Sequence, residues 1–227
     1  MNDKAYTERN RPWISPLLLG LTIFTLFAMP IFPEDWHHSL YAIFFSLIFL
    51  CAAYLVRGQR PLMFPISLVI VLVTDISPFI ADGSFSAVTR FLQFVFFVLL
   101  VVELIKQIAA SPEVSGMVIM DAVTAYLLLG LASGMTVILS NTAIKDAYSD
   151  PLVLKNGDVF SPDIQDAMYY AFTAYTTTGF GDITARHPVT KSLSILIAIC
   201  GQLYATIILA LLVGKFASRK PESTKKT

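Results

Sequence analysis

Charge is scarce in this sequence. Only 14% of its 227 residues are Asp, Glu, Lys or Arg, and the sixteen of each sign cancel to a formal net charge of zero. A soluble domain carries roughly 25% charged residues, so this chain has too few to clothe a water-facing surface of its size. A zero net charge also lacks the basic excess that a nucleic-acid partner requires. Cysteine is equally sparse. Cys51 and Cys200 lie far apart inside apolar runs, which excludes a disulfide framework or a zinc spacing and marks them as small buried hydrophobes. There is no Walker loop, dinucleotide fingerprint or Ser-His-Asp order. No enzymatic activity and no organic cofactor are therefore expected. What is abundant is apolar: 56% hydrophobic residues and a mean hydropathy of +0.68, concentrated in long runs. The bilayer is the natural solvent for such a chain.

A membrane-spanning helix takes about 20 mostly apolar residues. Six such runs are present, near 14–32, 38–56, 62–81, 86–108, 115–140 and 191–216. The first has a long polar lead-in and Pro30 near its end, so it is read as a retained helix rather than a cleaved signal. Between the fifth and sixth runs come a polar stretch, 141–160, and an amphipathic segment, 161–175, that is too short to cross. Ser161 as N-cap, Pro162 in the first turn, and Asp163 and Asp166 near the positive dipole end suit a helix start. This segment is expected to enter the membrane halfway and stop, a geometry tolerated only where protein or a water-filled cavity surrounds it. The fold class is an all-α membrane protein with six transmembrane helices plus a re-entrant pore helix and filter.

Charge placement orients the chain. With both termini cytoplasmic, Lys4, Arg9, Arg11, Arg57, Arg60, Lys106, Lys215, Arg219, Lys220, Lys225 and Lys226 lie inside. Only Lys145, Lys155, Arg186 and Lys191 lie outside, as the positive-inside rule favours. The expected division is 1–13 cytoplasmic, 14–110 a four-helix unit, 111–217 a pore unit, and 218–227 a basic cytoplasmic tail whose lysines are candidates for contact with anionic lipid.

The short helix is followed by Thr177-Thr178-Gly179-Phe180-Gly181-Asp182. Gly179 and Gly181 free the backbone at alternate positions, which lets successive carbonyls turn towards one axis. A ring of carbonyls in that arrangement replaces the hydration shell of a dehydrated cation. The segment from Ala171 to Asp182, AFTAYTTTGFGD, resembles the pore signature of the tetrameric potassium channel family. Gly201-Gln202-Leu203-Tyr204 resembles the inner helix of its small bacterial members. The resemblance covers residues 115–217, and for 1–114 it rests on helix count. It implies potassium sites at Thr177, Thr178, Gly179 and Phe180, completed by Gly181, and an outer-mouth carboxylate at Asp182. One chain supplies one filter strand, so a homotetramer is expected, passing potassium passively across a plasma membrane, for a bacterium the inner membrane. Many family members carry Tyr where this chain has Phe180, and that hydroxyl bonds to the pore helix. A looser filter is expected here, with Tyr169 and Tyr170 packing around it. The rival readings are a weakly selective monovalent cation channel and a non-conducting membrane sensor.

Voltage sensing needs several charges along the fourth helix, each worth about 2.3 kcal/mol per 100 mV. This one has Arg90 alone in its outer part, with Phe, Val and Leu at its centre. Strong voltage gating is not expected. Asp75 and Arg90 fall in the same outer third and are expected to pair, while Asp121 and Glu103 should reach the wetted inner edge. Gly201 is either a hinge of the last helix or a point of close contact. Leu209 and Val213 are a candidate dewetting gate. Gly130 and Gly134 form a GxxxG step suited to close helix packing. His37 and His38, beside Glu34 and Asp35, are read as an outer loop. Asp146, Asp150 and Asp158 are read as part of a soluble turret.

Overall fold

The computed structural model describes residues 13–80, 83–111, 115–144, 147–149 and 164–217. The described chain is almost wholly helical. Helix α1 (Ile14–Ile23) runs on through a π turn (Phe24–Ala28) into a 3-10 turn (Met29–Ile31). Pro30 has no N–H to give to the residue four before it, so the regular ladder cannot continue there. Helices α2 (Glu34–Val56), α3 (Met63–Ile80), α4 (Gly83–Ala110) and α5 (Gly116–Ala143) follow. Then come the short α6 (Ile164–Tyr175) and the long α7 (Pro188–Ala217). The α2 backbone begins at Glu34, so His37 and His38 belong to its opening turns and not to a loop. Their side chains lie outside the described residues.

By length and composition, α2, α4, α5 and α7 are the four helices fit to cross a membrane, while the apolar parts of α1 and α3 among the described residues are shorter. Several hydroxyls inside these helices are satisfied locally. Thr22, Thr25, Thr124, Ser133 and Thr136 each donate to the carbonyl one turn back, which removes the cost of an unpaired polar group in an apolar medium.

Helix α5 is the hub, packing against α1, α4, α6 and α7. Its start is capped by Ser115, whose hydroxyl accepts from the Val118 amide at 3.4 Å. One core cluster joins α1, α2 and α4 to the inner half of α5, with Leu18, Ile48, Phe97, Leu100 and Leu128 all buried. The buried face of α4 is apolar in its second half, at Phe97, Leu100, Val101, Leu104 and Ile108, while its first turns bury the hydroxyls of Ser86 and Thr89. A second cluster sits behind α6 and includes Val137, Tyr148, Tyr170, Tyr175 and Ile197.

Two expectations about charges need correction. Asp75 accepts a hydrogen bond from Ser46 on α2 at 3.0 Å, whereas Arg90 folds back along its own helix to donate to Ser86 at 2.7 Å. The two do not pair, because α3 turns its carboxylate towards α2 and the guanidinium finds an acceptor one turn away. Asp121 is also not at a wetted edge but fully enclosed on α5. Glu103 behaves as expected of an edge residue, with Lys106 at 2.9 Å and Arg60 at 3.8 Å. That cluster sets the end of α4 level with the α2–α3 turn.

Candidate functional site

The site is built on α6. Its 12 residues span about 18 Å at 1.5 Å per residue, half a membrane. Two contacts with glycine bring it against α5. A side chain at Gly130 would collide with the Phe172 ring, and one at Gly134 with the Met168 thioether. The GxxxG step is thus the bed on which the short helix lies. On its other side, Tyr170 and Ser194 of α7 share a 2.5 Å hydrogen bond. At its end, Gly201 of α7 sits so close to the Tyr175 carbonyl that any Cβ would overlap it. Helix α7 runs unbroken through this point. Of the two readings of Gly201, close contact is the one with a visible partner.

A helix ends with carbonyls that have no partner in the next turn. Here the following strand takes them. The amide of Thr176 donates to Phe172, that of Thr177 to Ala174 and that of Gly179 to Thr173, at 2.9–3.0 Å. The strand is therefore hung from the helix rather than trailing from it. Its backbone alternates: Thr177, Gly179 and Gly181 have φ of +59°, +52° and +80°, and Thr178 and Phe180 between them do not have positive φ. In an ordinary strand successive carbonyls point to opposite sides. Placing every second residue in the left-handed region turns them towards one side. The two glycines adopt this freely, but Thr177 does not. A β-branched residue there costs about 1–3 kcal/mol and persists only where its surroundings hold it. The sequence placed Thr177 in this strand but not its strain, because no residue type announces a strained φ.

The strand's sides are tied as well. Thr176 donates its hydroxyl proton to the Phe172 carbonyl at 2.7 Å and lies 2.9 Å from the Thr178 hydroxyl. With that single proton committed, Thr178 must donate to Thr176, so a hydroxyl relay links Thr178 to the helix end.

At the outer end, Tyr169 donates to Asp182 at 2.5 Å and its ring lies parallel to that of Phe180, centroids 6.3 Å apart. The missing hydroxyl at Phe180 is thus offset by Tyr169, which supports the ring and anchors the next carboxylate. The Tyr169 hydroxyl, and after it the Ile183 amide, hold the Asp182 carboxyl below the usual carboxylate range. Asp182 is therefore charged at neutral pH.

Beyond this strand, Thr184–Ala185 (β2) pairs antiparallel with Tyr148–Ser149 (β1), with Tyr148 opposite Ala185 and Ser149 opposite Thr184. Thr190 adds a bond to the Ala147 carbonyl at 3.0 Å. This staple joins the end of α5 to the start of α7 past the end of the strand. The sequence showed only a polar stretch there.

Behind the strand everything is filled: Tyr175 is 1% exposed and rests against Tyr126, 4.8 Å between ring centres. In front, Thr176 to Gly181 are exposed in the single chain, Phe180 to 70%. Val213 is exposed too, and the side chain of Leu209 lies outside the described residues, as do Ser161, Pro162, Asp163, Asp146, Asp150 and Asp158. Both cysteines are free thiols.

Residues 122–218 match the model of a family described as an ion channel. No curated protein and no solved structure matches the chain.

Proposed function

We propose, from the match of residues 122–218 to a family described as an ion channel, that the chain conducts potassium selectively, as a homotetramer, with Thr177–Gly181 as its filter. The alternation of positive φ at Thr177, Gly179 and Gly181 carries this reading. It supplies a row of carbonyls turned one way, and a single row needs copies around an axis to enclose an ion. Thr177, Thr178, Gly179 and Phe180 coordinate potassium, and the ionised Asp182 attracts cations to the mouth.

In this reading α1 and α3 also cross, making six spans with both termini cytoplasmic and the basic α2–α3 turn inside, in a plasma membrane. Residues 14–110 form a sensor-like unit that does not sense voltage strongly. Its fourth helix buries apolar residues through its second half and offers Arg90 alone in its outer part, bound to Ser86, with Lys106 at the cytoplasmic edge. Leu209 and Val213 close the inner pore by dewetting.

The test is the reversal potential of the full-length protein reconstituted in a potassium/sodium gradient. Selective conduction places it near the potassium equilibrium potential. A value near zero gives a weakly selective cation pore instead, the outcome a poorly supported Phe180 would produce. Absence of flux under all conditions gives a non-conducting membrane protein.

A further inference from the structure

A cleft of about 260 Å³ opens between the start of α1, the last turns of α2 and the first turn of α3. Ile14 and Leu17 form one wall, Leu50, Cys51 and Tyr54 a second, and Phe64 a third. The lining is apolar, and the volume lies just below the range of about 300–1,000 Å³ typical of drug-sized ligands. It suits a single slender hydrocarbon chain.

The rim differs from the floor. The Arg57 guanidinium lies over the Tyr54 ring, 5.7 Å from its centre, and Tyr54 meets Phe64 edge-on at 5.4 Å. The wall of the cleft is thus roofed by a cation. Arg60 and Lys106 share Glu103, whereas no carboxylate among the described residues reaches Arg57. Among the described residues, three cations facing one carboxylate leave this edge positive. Trp13, one residue before α1 and 80% exposed, is the residue type that settles at headgroup level. It puts the cleft just beneath that level and Arg57 within it.

We propose that this cleft is a binding site for an anionic phospholipid, one acyl chain lying against Leu50, Cys51 and Tyr54 and the phosphate on Arg57. The proposal rests on the orientation given above, which sets the cleft in the cytoplasmic leaflet, where anionic lipid attracts basic edges. A zwitterionic lipid fits the floor equally well but lacks the net charge that the rim selects.

The test uses full-length protein in liposomes containing either phosphatidylglycerol or phosphatidylcholine with a diazirine in the acyl chain, irradiated and mapped by peptide mass spectrometry. Adducts are expected on Leu50, Cys51 or Tyr54, about fivefold more with phosphatidylglycerol, the advantage of roughly one basic residue at the surface. Arg57→Gln should bring phosphatidylglycerol labelling down to the phosphatidylcholine level. Leu47→Trp, which adds bulk at a half-exposed position lining the same cleft, should reduce labelling by both lipids. Equal labelling by the two lipids, or phosphatidylglycerol labelling unchanged in Arg57→Gln, overturns the proposal and leaves an ordinary lipid-facing groove. The reversal potential of the same vesicles reports conduction separately. Lost lipid preference with intact selectivity rejects the lipid site alone, and the converse rejects only the conduction reading.

Discussion

Helices α5 and α7 flank the same short helix and are nearly equal in length, 28 and 30 residues. Yet 56% of the membrane-crossing stretch of α5 is buried within the chain, against 22% for α7. The difference lies in what each one finishes. Helix α5 is enclosed by α1, α4 and α6 and serves as scaffold. Helix α7 touches α6 at Ser194 and Gly201 and α5 through Tyr204, which donates to the Ala122 carbonyl at 2.7 Å. The rest of it shows Ile195, Leu196, Ile199, Leu203 and Ile207 to the outside. The strand proposed as the filter repeats the pattern, packed behind and open in front. The α5 side of the short helix is completed within the chain, and the α7 side presents apolar surface that lipid or further copies of the chain can cover.

The contrast breaks most sharply at Gly201. Substitution by Ala pushes a methyl into the Tyr175 backbone carbonyl, which cannot swing aside as a side chain does. We expect loss of potassium flux and a destabilisation of at least about 1–3 kcal/mol, read by flux assay and thermal melting. Gly214→Ala is the control, since a Cβ there meets nothing. It should be neutral or slightly stabilising, as Ala is the better helix former. At Gly134 the obstacle is the flexible Met168 side chain, so Gly134→Ala should fall between them.

Next is Gly179→Ala. Holding Ala at a φ of +52° costs about 1–2 kcal/mol in every subunit, and the carbonyl row should twist. The reversal potential should move towards zero while the protein still folds, because no core contact is lost.

A smaller effect is expected of Tyr169→Phe. It keeps the stacking on Phe180 and removes the bond to Asp182. Because that bond favours the ionised carboxylate, Asp182 in the parent stays charged until external pH falls below the ordinary carboxylate range, near 3.9. In the variant the acid-induced fall in potassium flux should begin at higher pH. Flux measured against external pH checks this, and superimposed curves would remove Tyr169 from the mouth. Smallest of all is Arg90→Gln, which should leave the voltage dependence of the current nearly unchanged, since one charge in the outer part of the helix supplies only about 2.3 kcal/mol per 100 mV.

Much of this was legible in the sequence, for identifiable reasons. Long apolar runs have few options in a bilayer, so α2, α4, α5 and α7 could be read within a few residues of their ends. The turned strand after α6 was legible at Gly179 and Gly181, because glycine takes a positive φ freely. What escaped was whatever depends on which way a side chain faces across a gap in sequence. Asp75 and Arg90 share a depth, but helix rotation gives each a serine instead of the other. Tyr169 is 13 positions from Asp182, and the β1–β2 staple joins segments 35 apart. Thr177 is the instructive case, because its strain is imposed by the amide bonds on either side and not by its own preference.

In the proposed channel, copies of the chain complete the exposed front of the strand and the exposed face of α7. A map of the purified full-length particle in lipid tests this most directly. It should show a fourfold axis lined by residues 177–181 with ion density along it, α7 surrounding that axis and α5 outside. A monomer, a dimer, or an assembly in which the filter strands face lipid or solvent would contradict it.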